Sequence, residues 1–488
     1  MPAASGALRP SRYNFSFSNE KNVTLFNTLS GATYTIQGSN AYDLAMSLTA
    51  ESPAEFDYFE LPSNVLTRLC EGGFLTALNH AEELGVVRSR FQNARVDAPM
   101  VITITTTMNC NLACYYCYEK RSGHALKNAD SRAIMEWVET RLSRSAKKSL
   151  HIDWFGGEPL LNAGFLEVVS ADLQAMCDLR GVIFSASIIS NGTLWPEDIG
   201  AFVKRNKIRQ VQISLDGLKT EHDKRRRYRK NYRPSPDTSS FDLAVSAIDT
   251  LLYHTQVDVR INLDPDNAQD GLALVQYAKE RGWFERPYPC KLYPARLMKY
   301  SERSVFMDKL SIEVETFEAL ARAIDTSIAD VTSTSGPPRP NPVLPRTGVC
   351  AALAPDSVVV GPDRSLYRCG LQVSEPRRRV GALTPQKRSL DTADHAVTLA
   401  PPSDARWWEL YDPTEDARCQ KCSFLPVCWG GCPKNHLERD HAALEQQCDH
   451  WRRNLGPRVI QSLGGTVTGK SLEIVEAGDN GQFRTQHN

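Results

Sequence analysis

No apolar run in this sequence approaches the ~18 residues that a membrane span needs. The first residues, MPAASGALRPSRYNF, contain no hydrophobic signal core. Both absences predict a chain that stays in the cytoplasm. Neither sign of charge is in excess, with Lys+Arg 57 against Asp+Glu 57. No global field draws such a chain to nucleic acid or to an anionic membrane, so neither is expected as a partner. Gly (29) and Pro (28) are too few among 488 residues for a disordered or fibrous chain. No internal repeat is present. At ~150 residues per domain the length suits about three domains.

Cysteine is what the chain has in quantity: 13 residues. An odd number with no export signal argues against a disulfide framework in a reducing compartment. Cys70, Cys177 and Cys290 are isolated and read as buried small hydrophobes. Cys110, Cys114 and Cys117 form one cluster; Cys350, Cys369, Cys419, Cys422, Cys428, Cys432 and Cys448 form a second region. Ten clustered thiols in a reduced compartment point to soft metals.

The organisation expected is α/β. Residues 1–95 hold no metal-type cluster. NVTLFNTLSGATYTI reads as a hairpin turning at Asn27–Gly31, followed by helices near Tyr42–Ala50 and Pro62–Cys70, the second stopped by Gly72-Gly73. This outlines a small α+β, winged-helix-like domain. Over residues 96–330 the strands VITITTT, LHIDWF, IFSASII, QVQISL, VDVRINL and CKLYPAR alternate with helices. The helices fall near Ser131–Leu142, Ala163–Cys177, Pro196–Lys204, Phe241–Tyr253, Asp270–Arg281 and Ser311–Ile328. Six such units predict a parallel sheet in a partial (β/α)6 TIM-like barrel. Residues 331–346 are Ser/Thr/Pro-rich and read as a linker; 347–462 form the C-terminal cysteine-rich domain, and 463–488 a polar, flexible tail.

Cys110-Asn-Leu-Ala-Cys114-Tyr-Tyr-Cys117 puts three thiolates in eight residues, a spacing that suits a loop over one face of a cubane whose irons take thiolates. Three protein ligands leave one iron open, which is what a catalytic site keeps. Structural zinc would want a fourth ligand, for which His124 is the nearest candidate. Taken singly, Gly156-Gly157-Glu158-Pro159, Ser190-Asn191-Gly192-Thr193 and Asp216-Gly217 are turns, and the run Lys224–Arg233 is a solvated basic face.

In order behind the cysteine loop, these segments resemble the radical S-adenosylmethionine (SAM) enzymes. The loop matches C-x3-C-x-aromatic-C with Tyr116 at the aromatic position. The resemblance implies a 4Fe–4S cluster on Cys110, Cys114 and Cys117 whose open iron chelates SAM, giving a 5′-deoxyadenosyl radical after one-electron cleavage. It implies cofactor contacts from Gly156, Gly157 and Glu158, the last accepting from the SAM ammonium, and from Ser190 and Asn191. Ser214 and Asp216, followed by Glu221-His222-Asp223-Lys224-Arg225-Arg226, resemble an S-x-D-G…H-D-x-x-R pattern in which Arg226 can pair with the methionine carboxylate.

The C-terminal cysteines resemble a SPASM domain with two auxiliary 4Fe–4S clusters. By that resemblance Cys350, Cys369 and Cys432 hold the first, and Cys419, Cys422, Cys428 and Cys448 the second. For the first cluster either Cys290 supplies a fourth ligand or one iron stays open. Where relatives carry Asp-Gly-x4-Cys, this chain has Arg364 in the glycine's place, and Gly361 is the residue available to take over the turn.

The resemblance implies an oxidoreductase acting on a peptide, with flavodoxin or ferredoxin as electron donor. Residues 1–95 resemble, loosely, leader-recognition domains that add a precursor's strand to a sheet edge. They favour a maturase that cross-links a ribosomally made precursor through a carbon–carbon, ether or thioether bond. A formylglycine-generating sulfatase maturase and a peptide epimerase are the alternatives, and an iron–sulfur or zinc RNA-binding or scaffold protein is the alternative of a different class.

Overall fold

The computed structural model describes residues 8–18, 22–37, 41–49, 58–300, 302–332, 342–383, 403–463 and 473–476. The chain makes two compact units, one of Met1–Ala98, Pro338–Leu353 and Glu409–Asn488, the other of Pro99–Pro337 and Ala354–Trp408. The expected cysteine-rich region 347–462 contributes to both. Residues 333–341 of the expected linker lie outside the described residues, as does most of the expected tail.

The second unit is built on strands β1 (Met100–Thr105), β2 (Ser149–Phe155), β3 (Ile183–Ser190), β4 (Ile208–Ser214), β5 (Gln256–Leu263) and β6 (Lys291–Arg296). Each pairs in parallel with the next. The connecting helices include α1 (Ser131–Leu142), α2 (Ala163–Arg180), α3 (Ile199–Arg205), α4 (Lys219–Arg225), α5 (Ser240–Leu251) and α6 (Asp270–Glu280), with α7 (Val314–Thr332) after β6. Strand order follows chain order without reversal, and the core side chains of the connecting helices pack with one alternating set of strand residues. This is the expected partial barrel.

Alternation explains the faces. Ile102 and Ile104, Leu150, Ile152 and Trp154, and Val257, Val259 and Ile261 are buried in one apolar core with helix residues such as Ile134, Phe165 and Ile248. The intervening strand residues turn to the opposite, inner face. Asp198 caps α3 by accepting from the Ala201 amide at 2.8 Å, and Gly181 ends α2 in the left-handed conformation at φ 63°.

The sheet continues further than expected. β7 (Val358–Val360) adds in parallel to β1, and β8 (Ser365–Tyr367) and β9 (Gly381–Ala382) follow antiparallel. Three-residue strands carry too little periodicity to stand out in a sequence. In the turn between β7 and β8 Gly361 does not replace the missing glycine. Arg364 itself takes the left-handed conformation, at φ 66°, because the Arg364 amide closes onto the Gly361 carbonyl at 3.0 Å.

The first unit contains the expected hairpin, Asn22–Asn27 paired with Thr33–Gln37. Its turn forms because the Asn27 side chain accepts from the amides of Leu29 and Ser30 at 2.9 and 2.8 Å, while Gly31 sits at φ 77°. Asn14–Ser18 pairs on the other side, and Glu473–Glu476, from the segment expected to be a flexible tail, pairs with Asn14–Ser18 in turn. Helices Ala41–Thr49 and Ser63–Glu71 pack on this sheet through Leu44, Leu48 and Leu69. Cys177 and Cys290 lie in the barrel core as expected, which leaves Cys290 packed among apolar side chains and not presented as a ligand. Cys70 departs from expectation: it is exposed, because Leu69 is the one buried residue of its helix.

Candidate active site

The cysteine loop follows β1 and is fixed by backbone bonds on two sides. On one side the GGEP segment, which follows β2, donates to it: the Gly157 amide reaches Thr107 O at 3.0 Å and the Glu158 amide reaches Asn109 O at 2.9 Å. The two backbones touch. A Cβ at Gly156 (φ 141°) would lie 2.2 Å from Thr107 O, and one at Gly157 would lie 2.5 Å from Asn109 O. These glycines admit the stem of the cysteine loop. On the other side Ala113 donates to Arg227 O at 2.8 Å and Arg229 donates to Asn111 O at 2.9 Å, so residues beyond α4 pair with the loop.

Glu158 is fully buried and ties the next segment in. It accepts from the Leu160 amide (3.1 Å), the Ser190 hydroxyl (3.0 Å) and the Asn191 amide (2.7 Å). Burial still pushes its carboxyl up to about 7. Asn191 in turn donates to Asn111 Oδ1 at 2.7 Å and reaches Cys110 Sγ at 3.7 Å, and Asn111 donates to Thr193 at 2.8 Å. Ser214 ends β4, half-buried on the inner face.

Behind the loop lie two Tyr–Asp–Arg groups side by side. Tyr116 donates to Asp216 and accepts from Arg226 Nη1 at 2.5 Å. Asp216 also accepts from Asn262 at 3.1 Å, and its backbone carbonyl from Asn267 at 2.6 Å. Tyr115 donates to Asp264, to which Arg225 Nη1 also donates at 3.0 Å, with Arg225 Nη2 in ion-pair contact at 2.9 Å. Arg225 lies over both tyrosine rings, 5.2 and 5.6 Å from their centroids. His222 is buried against Phe241. Burial and the Arg226 charge lower it to about 4, so it is neutral and accepts from the Asp216 amide at 3.4 Å.

The donor set fits an iron–sulfur cluster with SAM. Burial, then Glu158, pushes the Cys110 thiol up to about 12; burial, then Glu119, pushes Cys117 to about 11; burial also raises Cys114. Thiols so placed need a bound cation to become thiolates, and coordination supplies it. Arg226 is buried, its charge held firmly by Cys114, Tyr116 and Asp216 against the effect of burial, and its Nε has no protein partner. An unspent buried donor of that kind is suited to a carboxylate.

In the first unit Cys419 lies in a short helix capped by Asp416, Cys428 ends Leu425–Cys428, and Cys448 is on His441–Ser462. The Cys419 thiol is pushed up by burial, then by Asp416, Cys422, Cys428 and Cys448, so the four thiols are neighbours. Cys350 and Cys432 belong to this unit and Cys369 to the barrel unit. Among the described residues no three His, Cys, Asp or Glu side chains converge on a single-ion site. A cluster takes its thiolates on separate irons and does not need that convergence.

Sequence reasoning missed Asn111, Tyr115, Arg225, Asn262, Asp264 and Asn267. Their signal was position: Asn111 and Tyr115 lie inside the cysteine loop, Arg225 lies beside Arg226, and Asn262, Asp264 and Asn267 lie at or just beyond the C-terminal end of a barrel strand, where this fold places its chemistry.

Residues 104–239 match the Radical SAM superfamily. They form a radical SAM domain, and the chain is an enzyme. The family implies SAM and a 4Fe–4S cluster. Among curated proteins, the serine-type anaerobic sulfatase-maturating enzyme of Klebsiella aerogenes is 24% identical over 351 residues, 66% of this chain and 77% of that protein. The mycofactocin maturase MftC of Mycolicibacterium smegmatis is 29% identical over 171 residues, 34% of this chain and 38% of that protein. A solved structure of native anSMEcpe with bound AdoMet and Kp18Cys peptide shares the fold at TM-score 0.51 and 16% identity, over 75% of this chain and 99% of that one. No helix among the described residues is long and apolar enough to cross a membrane.

Proposed function

We propose that the chain is a peptide maturase that abstracts hydrogen from a residue of a ribosomally made precursor and closes an oxidative intramolecular cross-link. The observation that carries the radical part is the buried Arg226, with an unspent Nε, beside a three-thiol loop. Cys110, Cys114 and Cys117 would hold the cluster, Arg226 the SAM carboxylate, and Tyr116, Gly156, Gly157, Glu158, Ser190, Asn191, Ser214 and Asp216 the walls around the cofactor. The bound group supplies the radical chemistry; the chain positions it and excludes water. Cys350, Cys369 and Cys432, and separately Cys419, Cys422, Cys428 and Cys448, would hold auxiliary clusters that take the surplus electron.

The peptide part is supported by the first unit. Thr33–Gln37 is an edge strand that, among the described residues, pairs on one side only. Such an edge can accept a precursor strand by main-chain bonding. The reach of the similarity to a sulfatase-maturating enzyme, 66% of this chain, favours a second reading, oxidation of a Ser or Cys to formylglycine.

Anaerobic co-expression with a short precursor encoded beside this gene, followed by mass spectrometry, tests the proposal. A loss of two hydrogens, located by fragmentation between two residues and absent from a Cys110/Cys114/Cys117 triple-Ala variant, is the expected result. A single-residue aldehyde would transfer the case to the second reading. A peptide of unchanged mass would refute both oxidative readings and favour epimerisation.

A further inference from the structure

Filled (β/α) barrels pack bulky branched side chains in layers along the inner face. Here that face is polar and half-buried. Its positions include His151 and Asp153 on β2, Ser187 on β3, Gln212 on β4, and Asp258 and Arg260 on β5. On the same face of β1 the Thr105 hydroxyl is fully buried with no protein partner. A polar, half-buried face with an unspent hydroxyl is suited to receive something polar.

Asp153 is the most developed group on that face. Its neighbours in register are Thr103 and Ser187 on the flanking strands. It accepts from Ser187 at 2.5 Å and from His151 Nε2 at 3.1 Å on one oxygen, and from the Thr103 hydroxyl at 3.5 Å on the other. His151 is held in turn through Nδ1 by Ser185 at 2.8 Å. The Asp153 side chain nevertheless stays 34% exposed. The one arginine among these positions does not serve it, since Arg260 donates to Asn262 at 3.0 Å and to Tyr300 at 3.1 Å. Asp258 takes the Gln210 amide at 2.5 Å. Three residues of strand separate Asp153 from Gly156, a drop of about 10 Å below the cysteine loop at ~3.3 Å per residue.

We propose that Asp153, braced by His151 and Ser187, is the anchor for a cationic side chain, lysine or arginine, of the peptide substrate. The proposal rests on the peptide-maturase reading and adds a substrate class to it. A role as proton acceptor fits less well. Burial alone would raise the Asp153 carboxyl, but donation from His151 and Ser187 outweighs it and holds the group below the usual carboxylate range. An anion stabilised in this way is a weak base and a good partner for a cation.

The test uses anaerobically reconstituted holoenzyme and two probes, N-acetyl-Gly-Lys-Gly-amide and the same peptide with norleucine, which keeps the length and removes the charge. A charge-assisted bond predicts binding of the lysine peptide about 10-fold tighter in the wild type. In Asp153→Asn the ratio should fall to about 1 with norleucine affinity retained, which also shows that the variant is folded. Equal affinities in the wild type, or a preference that survives in Asp153→Asn, would overturn the anchor. Should that variant not fold, Asp153→Ser takes its place, and equal affinities in the wild type would still overturn the anchor. Release of 5′-deoxyadenosine is scored separately. A wild type that releases it without ranking the peptides refutes the anchor alone. One that ranks them and never releases it supports the anchor and refutes the radical reading.

Discussion

A methyl group added at Gly157 would lie 2.5 Å from Asn109 O and 2.8 Å from both Asn109 C and Met108 O. All three are backbone atoms of the cysteine loop's stem, so no side chain can swing aside. Relief to ordinary contact requires a shift of about 1 Å between the two loops, and overpacking of this kind costs about 1–3 kcal/mol. The shift also stretches the Gly157–Thr107 and Glu158–Asn109 bonds, now 3.0 and 2.9 Å, each worth about 1 kcal/mol. In a unit of this size 1 kcal/mol moves Tm by about 2–4 °C, so the combined ~3–5 kcal/mol should lower the melting of Gly157→Ala by roughly 6–20 °C. A 1 Å displacement of a positioned group typically slows chemistry about 10²-fold, and 5′-deoxyadenosine release should fall accordingly. Gly164→Ala is the control. Gly164 is the second residue of α2 with nothing within 4 Å of its Cβ position, and alanine there should stabilise by up to about 1 kcal/mol. Thermal melts by circular dichroism, iron content and cofactor cleavage measure both variants. A Gly157→Ala protein with wild-type melting and turnover would refute the close contact between the loops.

The pH dependence of stability should carry a contribution from His222. An unfolded histidine takes up its proton near 6.5, whereas His222 stays neutral down to about 4, so the folded state binds fewer protons between those values. Wild-type stability therefore loses about 3 kcal/mol from this group as pH falls from about 6.5 to 4. Urea titrations of the wild type and His222→Gln should diverge by that amount across the window, and parallel curves would remove His222 as the cause. At the β7–β8 turn, Arg364 occupies a left-handed conformation at φ 66°, and among the described residues its ion pair is a half-exposed contact with Asp130 at 3.6 Å. The conformation costs a non-glycine residue about 1–2 kcal/mol and the surface pair returns less than about 1, so Arg364→Gly should raise Tm by a few degrees. A lower Tm would mean that the Asp130 contact outweighs the backbone strain.

The sequence alone determined the barrel's elements and the identity of the cysteine loop. Period-two alternation in VITITTT and VDVRINL and the one-sided apolar pattern of Ser131–Leu142 are local signals, expressed within a few residues, and they became β1, β5 and α1. The Cys110–Cys117 spacing is local in the same sense, and so is the Asn27–Gly31 turn. Tertiary structure alone decided the partners. Arg225 and Arg226 are adjacent, yet one closes on Asp264 and the other on Tyr116, 110 positions away. The GGEP glycines face the loop stem because parallel pairing of β1 with β2 brings their C-terminal ends together. Arg364, and not Gly361, makes its turn because hairpin closure sets which residue must be left-handed. The polar inner face became visible once the side bearing the helices was known. Each of these contacts joins residues whose separation in the chain says nothing about their distance in space. Strand order and the direction of the crossovers set that distance.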